Sequence, residues 1–422
     1  MSDTDFETLE WIEPARAFAP FRVQDGSLLL HGGQRSRSRL YALPVETLGF
    51  WPGDDLDVFV RKARAALGEG HQLAGLFSYE LGQVLEPRAG TPPRWQPLIQ
   101  LGVYPAWAVF DPEKQALTLH GQDDARQRLK AGLHIGRPPA KPASGHLAPR
   151  WDKERYLSTC RIMIGLIRAG DIYQANLSQG FAGRLDGDPW AVFLRLLERS
   201  DAPHAAWFRP ADSHVVMTNS PERFLRLEAG RVESRPIKGT RPRKSDPAAD
   251  RAEAEALAAS AKDRAENLMI VDLVRHDLSR VCRPGSVKVP QLNAVESYAN
   301  VHHLVSTVTG QLADQRDALD LIMAAFPPGS ITGAPKIRAM ELIREAEGEA
   351  RGPYCGALGW IGDGGQSMDL NVMIRTLDLI RTDTDWQVKA RSGGAITIDS
   401  DPAEEYDETL HKLSALKAAL EG

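Results

Sequence analysis

The sequence predicts an α+β fold, in which strands and helices both recur along one chain. Strand-like segments run from SLLLHGG at 27–33 to WQVKARSGGAITID at 386–399. Helical spacing of apolar residues occurs between them, as in 151–168 and in the last twenty residues. Because no segment recurs at a solenoid period, a repeat architecture is not indicated.

The first 135 residues consist mainly of strand-like segments, including LAGLFSYELG at 73–82 and LGVYPAWAVFD at 101–111, with one helical segment near 58–67. A stretch rich in proline and glycine, GRPPAKPASGHLAP at 136–149, breaks any period. The sequence therefore predicts an N-terminal region 1–135, a linker 136–150 and a second region 151–422.

The second region has denser patterns than the first. Helices are predicted over Trp151–Arg168, Pro189–Arg199 and, as one long alanine-rich helix, Ala248–Arg280. Strands are predicted over 172–183, 204–210, 214–228, 352–362, 367–380 and 386–399. In the final helix, Ser400 or Asp401 is expected to be the N-cap, and Pro402 suits the first turn.

Composition and charge narrow the function classes. The 422 residues carry a net charge of −5, which gives no reason to expect nucleic acid as a partner. The three cysteines are far apart and lack CxxC spacing, so neither disulfides nor a zinc knuckle is indicated. Neither a signal peptide nor an apolar run long enough to span a membrane is evident. We therefore expect a soluble protein of the reducing cytoplasm.

Two acidic pairs have the same spacing. Asp263 and Glu266 lie in the long predicted helix, and Glu405 and Glu408 lie in the first turns of the last helix. A spacing of three places both members of a pair on one helical face, so two such faces could hold a hard cation such as Mg²⁺. Acidic residues in such turns are also typical of solvated faces or of charges that favour the helix dipole.

Adjacent glycines end a basic strand in ARSGGAITIDS. Gly393 and Gly394 would let backbone N–H groups approach an anion, and Arg375 and Arg391 are candidate charge partners on nearby strands. Glycines within strands also mark β-bulges, which need no ligand.

Lys238 lies in SRPIKGTRPRK, where proline, glycine and threonine restrict the backbone. The nearby cations Arg235, Arg241 and Arg243 are expected to lower its pKa and leave more free amine. Most lysines are solvated surface charges, so the residue pattern alone makes Lys238 a candidate nucleophile and no more.

Nine motifs occur in a fixed order over residues 151–422. Together they resemble the chorismate-utilising enzymes, which include anthranilate, aminodeoxychorismate, isochorismate and salicylate synthases. The resemblance implies an anthranilate synthase component I-like fold, with large β-sheets forming a sandwich core flanked by helices. LAGLFSYELG resembles a family segment, which implies that residues 1–135 pack in the same fold. The motifs are GDIYQANLSQ, SPERF, PIKGT, ENLMIVDLVRHDL, HHLVSTVTG, FPPGSITGAPKIRAMELI, RGPYCGALGW, IRT and SGGAITIDSDPAEEYDETLHK.

The motif around Lys238 separates branches of this family. Anthranilate synthases usually carry PIAGT, whereas aminodeoxychorismate synthases carry PIKGT, as this chain does. The resemblance implies amination of chorismate at C4, for 4-aminobenzoate and folate synthesis, through a covalent adduct of Lys238. It implies that Glu222 of SPERF is the general acid.

The resemblance also implies a set of ligand contacts. Glu266 and Glu408 would hold Mg²⁺ on the ring carboxylate of chorismate, with Asp263 and Glu405 supporting them. Two departures from the family pattern occur, Ala395 in place of the last glycine of the glycine turn and RHDL, with His276, in place of the common RND. The residues implied to contact chorismate are Arg375, Tyr354, Gly393, Gly394, Thr332, His303, Lys412 and Thr240.

The source of nitrogen must lie outside these motifs. No cysteine stands in a Gly-x-Cys-x-Gly elbow, so free ammonia or a glutamine amidotransferase subunit is the expected donor. The resemblance implies that such a subunit forms a heterodimer with this chain. Two alternatives remain open at this stage: an anthranilate or isochorismate-type synthase on the same scaffold, and a non-catalytic chorismate or tryptophan sensor.

Overall fold

The computed structural model describes residues 6–34, 36–133, 142–298 and 301–422. The helices are α1 (Pro14–Phe18), α2 (Leu56–Gly68), α3 (Leu81–Leu85), α4 (Asp123–Leu133), α5 (Lys153–Arg168), α6 (Pro189–Arg199), α7 (Pro247–Ala259), α8 (Ala261–Ser279), α9 (Ala318–Ala325), α10 (Lys336–Glu347) and α11 (Pro402–Glu421). The strands are β1 (Phe6–Leu9), β2 (Ser27–His31), β3 (Ser38–Tyr41), β4 (Glu46–Phe50), β5 (Gln72–Phe77), β6 (Ile99–Tyr104), β7 (Ala106–Asp111), β8 (Ala116–Gly121), β9 (Ala143–Pro149), β10 (Gln174–Gly187), β11 (His204–Ala211), β12 (His214–Ser220), β13 (Arg223–Glu228), β14 (Arg231–Arg235), β15 (Ile237–Pro242), β16 (Lys288–Ser297), β17 (Val301–Gln311), β18 (Gly333–Ala334), β19 (Ala357–Gly362), β20 (Ser367–Val372), β21 (Thr376–Arg381) and β22 (Trp386–Ile396).

These strands form two large sheets whose described pairs are antiparallel. The first sheet has the order β1-β8-β7-β3-β2-β11-β12-β21-β22-β10-β18, with β9 paired to β10. The second has the order β15-β17-β14-β13-β20-β19-β5-β6-β4, with β16 paired to β17. Both sheets contain strands from before and after residue 150.

The two sheets pack face to face, which confirms the predicted sandwich. Leu28 and Tyr41 of the first sheet share a buried cluster with Leu76, Tyr104 and Leu358 of the second. The outer face of the first sheet is covered by α1, α4, α6 and α11, with α5 and α10 packed over β10, and that of the second by α2, α8 and α9. Burial of apolar side chains on both faces of each sheet is the main force that holds these four layers together.

Most of the second half of the expected linker forms a β-strand. Residues 136–141 lie outside the described part of the chain, but Ala143–Pro149 is strand β9 and pairs in register with β10 from Phe181 to Gly187. Leu147 fills the core beneath α6 and α11. Proline and glycine are tolerated there because an edge strand leaves one row of backbone groups unpaired.

The long helix expected over 248–280 is two helices. Ser260 adopts an extended conformation between α7 and α8, and its Oγ accepts a hydrogen bond from the backbone N–H of Asp263 at 3.3 Å. Serine competes for backbone donors in this way and so favours a helix N-cap over a helix interior. The break lets α8 begin just before Asp263 and Glu266.

Caps predicted elsewhere are present. Asp401 accepts from the N–H groups of Ala403 and Glu404, and Pro402 opens α11. None of the described helices combines the length and the apolarity needed to cross a bilayer.

Candidate active site

Lys238 lies on β15, where a register shift separates it from Thr240 on the same strand. Gly239 between them has a φ of +77°, and a Cβ there would lie 2.8 Å from Leu257 Cδ1 and 2.9 Å from Asp263 Cγ. Glycine is therefore required at this turn for both its backbone angle and its lack of a side chain. The Lys238 ammonium donates a hydrogen bond to the backbone oxygen of Ser330 at 3.1 Å.

The pKa of Lys238 is lowered, but the three nearby arginines are not the cause. Burial disfavours the ammonium most, and the charge of Lys412 adds to this effect. Arg235 pairs with Glu296, Arg241 with Asp263 and Arg243 with Asp250, so the arginine charges are largely neutralised. The carboxylates of Glu266, Glu222 and Glu408 partly oppose the lowering.

Glu222 lies where the chain crosses from β12 of the first sheet to β13 of the second. Its side chain is buried, and burial raises the pKa of the carboxyl to about 7, against the opposing effects of Ser330 and Lys238. A second crossing, from β20 to β21, lies beside this one, since the N–H of Val372 donates to the backbone oxygen of Glu222 at 3.0 Å. A carboxyl that is half protonated near neutral pH can act as a general acid.

The four predicted metal-site carboxylates lie near Lys238 on α8 and α11. Burial raises the pKa of Glu266, and the charges of Asp263 and Glu408 raise it further. Glu405 accepts from Ser400 Oγ at 2.7 Å through one oxygen, whereas its other oxygen, Oε2, is buried without a partner among the described atoms. No three carboxylates or histidines in the described ranges converge as a closed metal cage.

The two glycines of β22 face these acids. A Cβ on Gly394 would lie 2.9 Å from Glu405 Oε2 and 3.5 Å from Glu408 Oε1, so only glycine leaves this space open. Lys412 forms an ion pair with Glu408 and donates to the Gly393 oxygen at 2.9 Å. Gly393, Gly394 and Ala395 all lie within β22 and pair in register with Ser178, Leu177 and Asn176 of β10, so the expected glycine turn is extended strand.

The two arginines proposed for the glycine turn differ. Arg391 is already engaged, since its guanidinium donates to Glu347 Oε2 at 2.8 Å and to Ser178 Oγ at 3.1 Å. Arg375 lies in the β20–β21 crossing with a φ of +53°, and its guanidinium has no acidic partner among the described residues. An unpaired, largely buried guanidinium in a strained backbone position is typical of a site for an anion.

His303 lies close to Arg375, and Thr240 contacts His303 directly. Thr240 Oγ1 and His303 Nδ1 are 2.9 Å apart. Burial, with the nearby charge of Arg375, lowers the pKa of His303 to about 4, so this imidazole is neutral at physiological pH.

Thr332 and Tyr354 are both buried on loops that adjoin this region. Thr332 accepts from the N–H of Asn176 at 2.7 Å through its backbone oxygen, and its hydroxyl donates to the Gly329 oxygen at 3.1 Å. Tyr354 lies in the turn before β19, and burial raises the pKa of its phenol.

Ser330 was missed as a site residue by sequence reasoning. Its backbone oxygen accepts from Lys238, and its side chain hydrogen-bonds Glu222. A small space of about 10 Å³ adjoins Glu222 and Ser330. A larger cavity of about 570 Å³ includes Tyr354 but neither Lys238 nor Glu222. Groups with shifted pKa line both places, since Tyr79, Glu80 and Glu347 of the larger cavity also have them. We place the site at Lys238 because its ammonium binds Ser330, which also hydrogen-bonds Glu222, and because the acid pairs of α8 and α11 lie beside it.

A family model described as chorismate binding enzyme matches residues 32–418. The chain belongs to the chorismate binding enzyme family. The match extends well before Gly170, where the first quoted motif begins. The sandwich of two sheets is therefore the fold of a chorismate binding enzyme, and Lys238, Glu222 and the four acids lie within the matched residues.

Among curated chorismate binding enzymes, aminodeoxychorismate synthase component 1 of Salmonella typhimurium is 44% identical over 353 residues, 82% of this chain and 76% of the relative. The protein of the same name from Escherichia coli strain K12 is 41% identical over 351 residues, with the same coverage. Anthranilate synthase component 1 of Streptomyces coelicolor is 43% identical over 254 residues, 60% of this chain and 49% of the relative.

Solved structures show the same fold. Anthranilate synthase component I from Streptococcus pneumoniae TIGR4 superposes with a TM-score of 0.79 at 26% identity, covering 90% of this chain and 92% of the other. The menaquinone-specific isochorismate synthase from Escherichia coli, at 16% identity and a TM-score of 0.77 over 98% of this chain and 94% of its own, shares the fold alone.

Proposed function

We propose that this protein converts chorismate and ammonia to 4-amino-4-deoxychorismate, with Lys238 as the nucleophile. The observation that carries the proposal is a partly buried lysine of lowered pKa, hydrogen-bonded to Ser330 beside Glu222, whose carboxyl has a pKa of about 7. Similarity to aminodeoxychorismate synthase component 1 from two organisms over 82% of the chain supports it.

In the first half of the reaction, the neutral Lys238 amine bonds to C2 of chorismate. The ring double bonds shift, and the C4 hydroxyl leaves as water after accepting the proton of Glu222. The proton that the Lys238 nitrogen loses on bonding to C2 returns to Glu222, which leaves a neutral secondary amine as the adduct. Hydroxide is a poor leaving group, so this proton transfer is needed. Burial serves both groups, because it favours the neutral amine and the protonated carboxyl.

In the second half, ammonia bonds to C4 and the double bonds shift back. The Lys238 amine then leaves C2, and the proton lost by the bound ammonia balances the proton that the departing amine requires. Two successive displacements retain the configuration at C4 and restore the free lysine.

The carboxylates fit a magnesium ion. Glu405 Oε2 is buried without a partner among the described atoms, and Gly394 leaves open the space next to it. No three of the described His, Cys, Asp and Glu side chains are arranged to hold an ion by themselves, so the protein would supply only part of its ligands. Mg²⁺ prefers such incomplete carboxylate sites, where waters and a substrate oxygen complete its coordination. Glu266 and Glu408 would hold the ion, with Asp263 and Glu405 supporting them. Its chemistry would be to neutralise the ring carboxylate of chorismate.

Replacing Arg375 by glutamine is expected to raise the chorismate KM by roughly 10- to 100-fold, because one charge-assisted hydrogen bond contributes about 1.5–3 kcal/mol. Arg375 lacks an acidic partner among the described residues, so a substrate carboxylate is its proposed partner. Steady-state kinetics measures the effect. Arg381→Gln is the matched control, because Arg381 is exposed at the far end of β21. An unchanged KM in Arg375→Gln would remove Arg375 from the proposed site.

A separate glutamine amidotransferase subunit is the proposed source of ammonia. Hydrolysis of glutamine by such enzymes needs a thiolate, but all three cysteines are buried and free. Burial raises the pKa of Cys160 to about 12, of Cys282 to about 11 and of Cys355 to about 12. Three unpaired cysteines also suit a cytoplasmic location.

The product formed from chorismate and ammonium tests the proposal. We expect the purified chain, with Mg²⁺ at alkaline pH, to form 4-amino-4-deoxychorismate, detected by chromatography and mass spectrometry, and EDTA to abolish this activity. Glutamine should replace ammonium only when an amidotransferase subunit is added. Formation of anthranilate or isochorismate would instead assign the chain to a neighbouring branch, and the absence of any turnover would favour a sensor.

A further inference from the structure

Glu80 takes no part in this chemistry, although it is only 2% exposed. It belongs to the segment LAGLFSYELG, and its carboxylate binds a turn far away in the sequence. Oε1 accepts from the N–H of Arg351 at 2.6 Å, and Oε2 accepts from the N–H of Gly352 at 3.0 Å. The N–H of Tyr79 donates to the Gly352 oxygen at 2.9 Å. Residues 79–80 therefore hold the turn at 351–352 through three hydrogen bonds.

The turn held by Glu80 is connected to the proposed site in two ways. Two residues further on, it presents Tyr354. The Arg351 guanidinium, stacked 4.6 Å from the centroid of the Tyr79 ring, donates to the Ile331 oxygen at 3.0 Å and to the Asn176 oxygen at 2.5 Å. Ile331 immediately precedes Thr332.

The surrounding charges are balanced and buried. Glu347 accepts from Arg351 and from Arg391, and its Oε1 also accepts from the N–H and hydroxyl of Ser178. With Glu80, the group contains two carboxylates and two guanidiniums. Buried charges whose partners are removed are strongly unfavourable, so these contacts fix a single arrangement of the turn.

We propose that Glu80 is a positioning residue for the reaction, acting through the 351–352 turn to orient Tyr354. The inference rests on the proposed function in that Tyr354 is taken to contact chorismate. It gives the N-terminal region a part in the site: the carboxylate that fixes a substrate-binding turn comes from residue 80, not from the region that carries the catalytic groups.

Glu80→Gln tests the inference, since glutamine keeps the shape but turns an NH₂ group toward one of the two backbone donors. We expect the chorismate KM to rise about tenfold with kcat within about twofold, because positioning of a binding group affects ground state and transition state alike. The double variant Glu80→Gln/Tyr354→Phe should match Tyr354→Phe alone. If the KM increases of the two single variants multiply in the double variant, the proposal is overturned, because Glu80 then does not act through Tyr354.

A second measurement does not depend on the activity of the chain. In Glu80→Gln, hydrogen exchange at the amides of Arg351 and Gly352 should be at least about tenfold faster, with no change in Glu86→Gln, the control at the end of α3. Unchanged exchange would refute positioning by Glu80, even if the wild type turned over no chorismate and the proposed function failed. If Glu80→Gln does not fold, Glu80→Asp is the substitute, because it keeps the charge on a shorter side chain. It should raise the chorismate KM and the exchange rates of the two amides by about threefold each.

Discussion

Lys238→Ala is expected to lower the formation of 4-amino-4-deoxychorismate by roughly 10³-fold or more, as removal of a covalent nucleophile does in other enzymes. The reason is local: no other described lysine is both hydrogen-bonded to Ser330 and adjacent to the Glu222 carboxyl. Product formation from chorismate and ammonium at saturating substrate measures the effect. Lys244→Ala, an exposed lysine of the same loop, is the matched control and should retain full activity.

An adduct on the unmutated protein gives the complementary result. Incubation with chorismate and Mg²⁺ in the absence of ammonia stops the proposed reaction after the first displacement. Mass spectrometry of digested protein should then show a modification on the peptide containing Lys238, and none on the Lys238→Ala protein. A wild-type Lys238 that stays unmodified in repeated trials, while the product still forms with ammonia, would contradict covalent catalysis.

The behaviour of Lys238 illustrates what sequence could and could not predict. The sequence predicted a lowered pKa, and the structure has one, but for a different reason. Arginines adjacent in sequence find acidic partners as far away as Glu296, 61 residues after Arg235, and so lose most of their influence. Burial, which depends on the packing of α8, β17 and the 328–332 loop, cannot be read from the loop sequence.

Segment patterns predicted elements better than their connections. The helix Pro189–Arg199 was predicted to the residue, because a capping aspartate and Pro189 mark its start. The segment SMDLNVMIRTLDLI was interpreted as one strand but is two, β20 and β21, in different sheets. Both sheets are buried at the crossing, so the apolar residues continue through it without a break. Alternation of apolar and polar residues therefore cannot reveal where the chain leaves one sheet for the other.

These crossings are where the site is built. Glu222 and Arg375 lie in adjacent connections between the two sheets, joined by the hydrogen bond from Asn219 N–H to the Arg375 oxygen at 3.0 Å. Family motifs identified both residues, but only the sheet topology brings the connections side by side. The hydrogen bonds of Glu80 to residues 351–352 depend in the same way on long-range pairing, here of β5 with β19.

Glu222→Gln is expected to lower the rate of the first displacement by roughly 10²- to 10⁴-fold, the usual contribution of a general acid. The wild type should also show a pH dependence that the variant lacks. Because Lys238 must be neutral and Glu222, whose pKa is about 7, must be protonated, the wild-type rate should fall about tenfold per pH unit only above the pKa values of both groups. Single-turnover measurements of adduct formation between pH 6 and 9 give both results, and Glu228→Gln on the exposed end of β13 is the control.

Stability separates loss of chemistry from loss of fold in this variant. The folded-state pKa of Glu222 is raised above its unfolded value, so its favourable contribution to stability exists at low pH and is lost as the pH rises through about 7. Glutamine stays neutral and avoids the cost of ionising a buried carboxyl. At pH 8, therefore, Glu222→Gln should unfold at a temperature no lower than the wild type while remaining catalytically impaired. A variant that keeps the wild-type rate and pH profile would show that another group protonates the leaving hydroxyl.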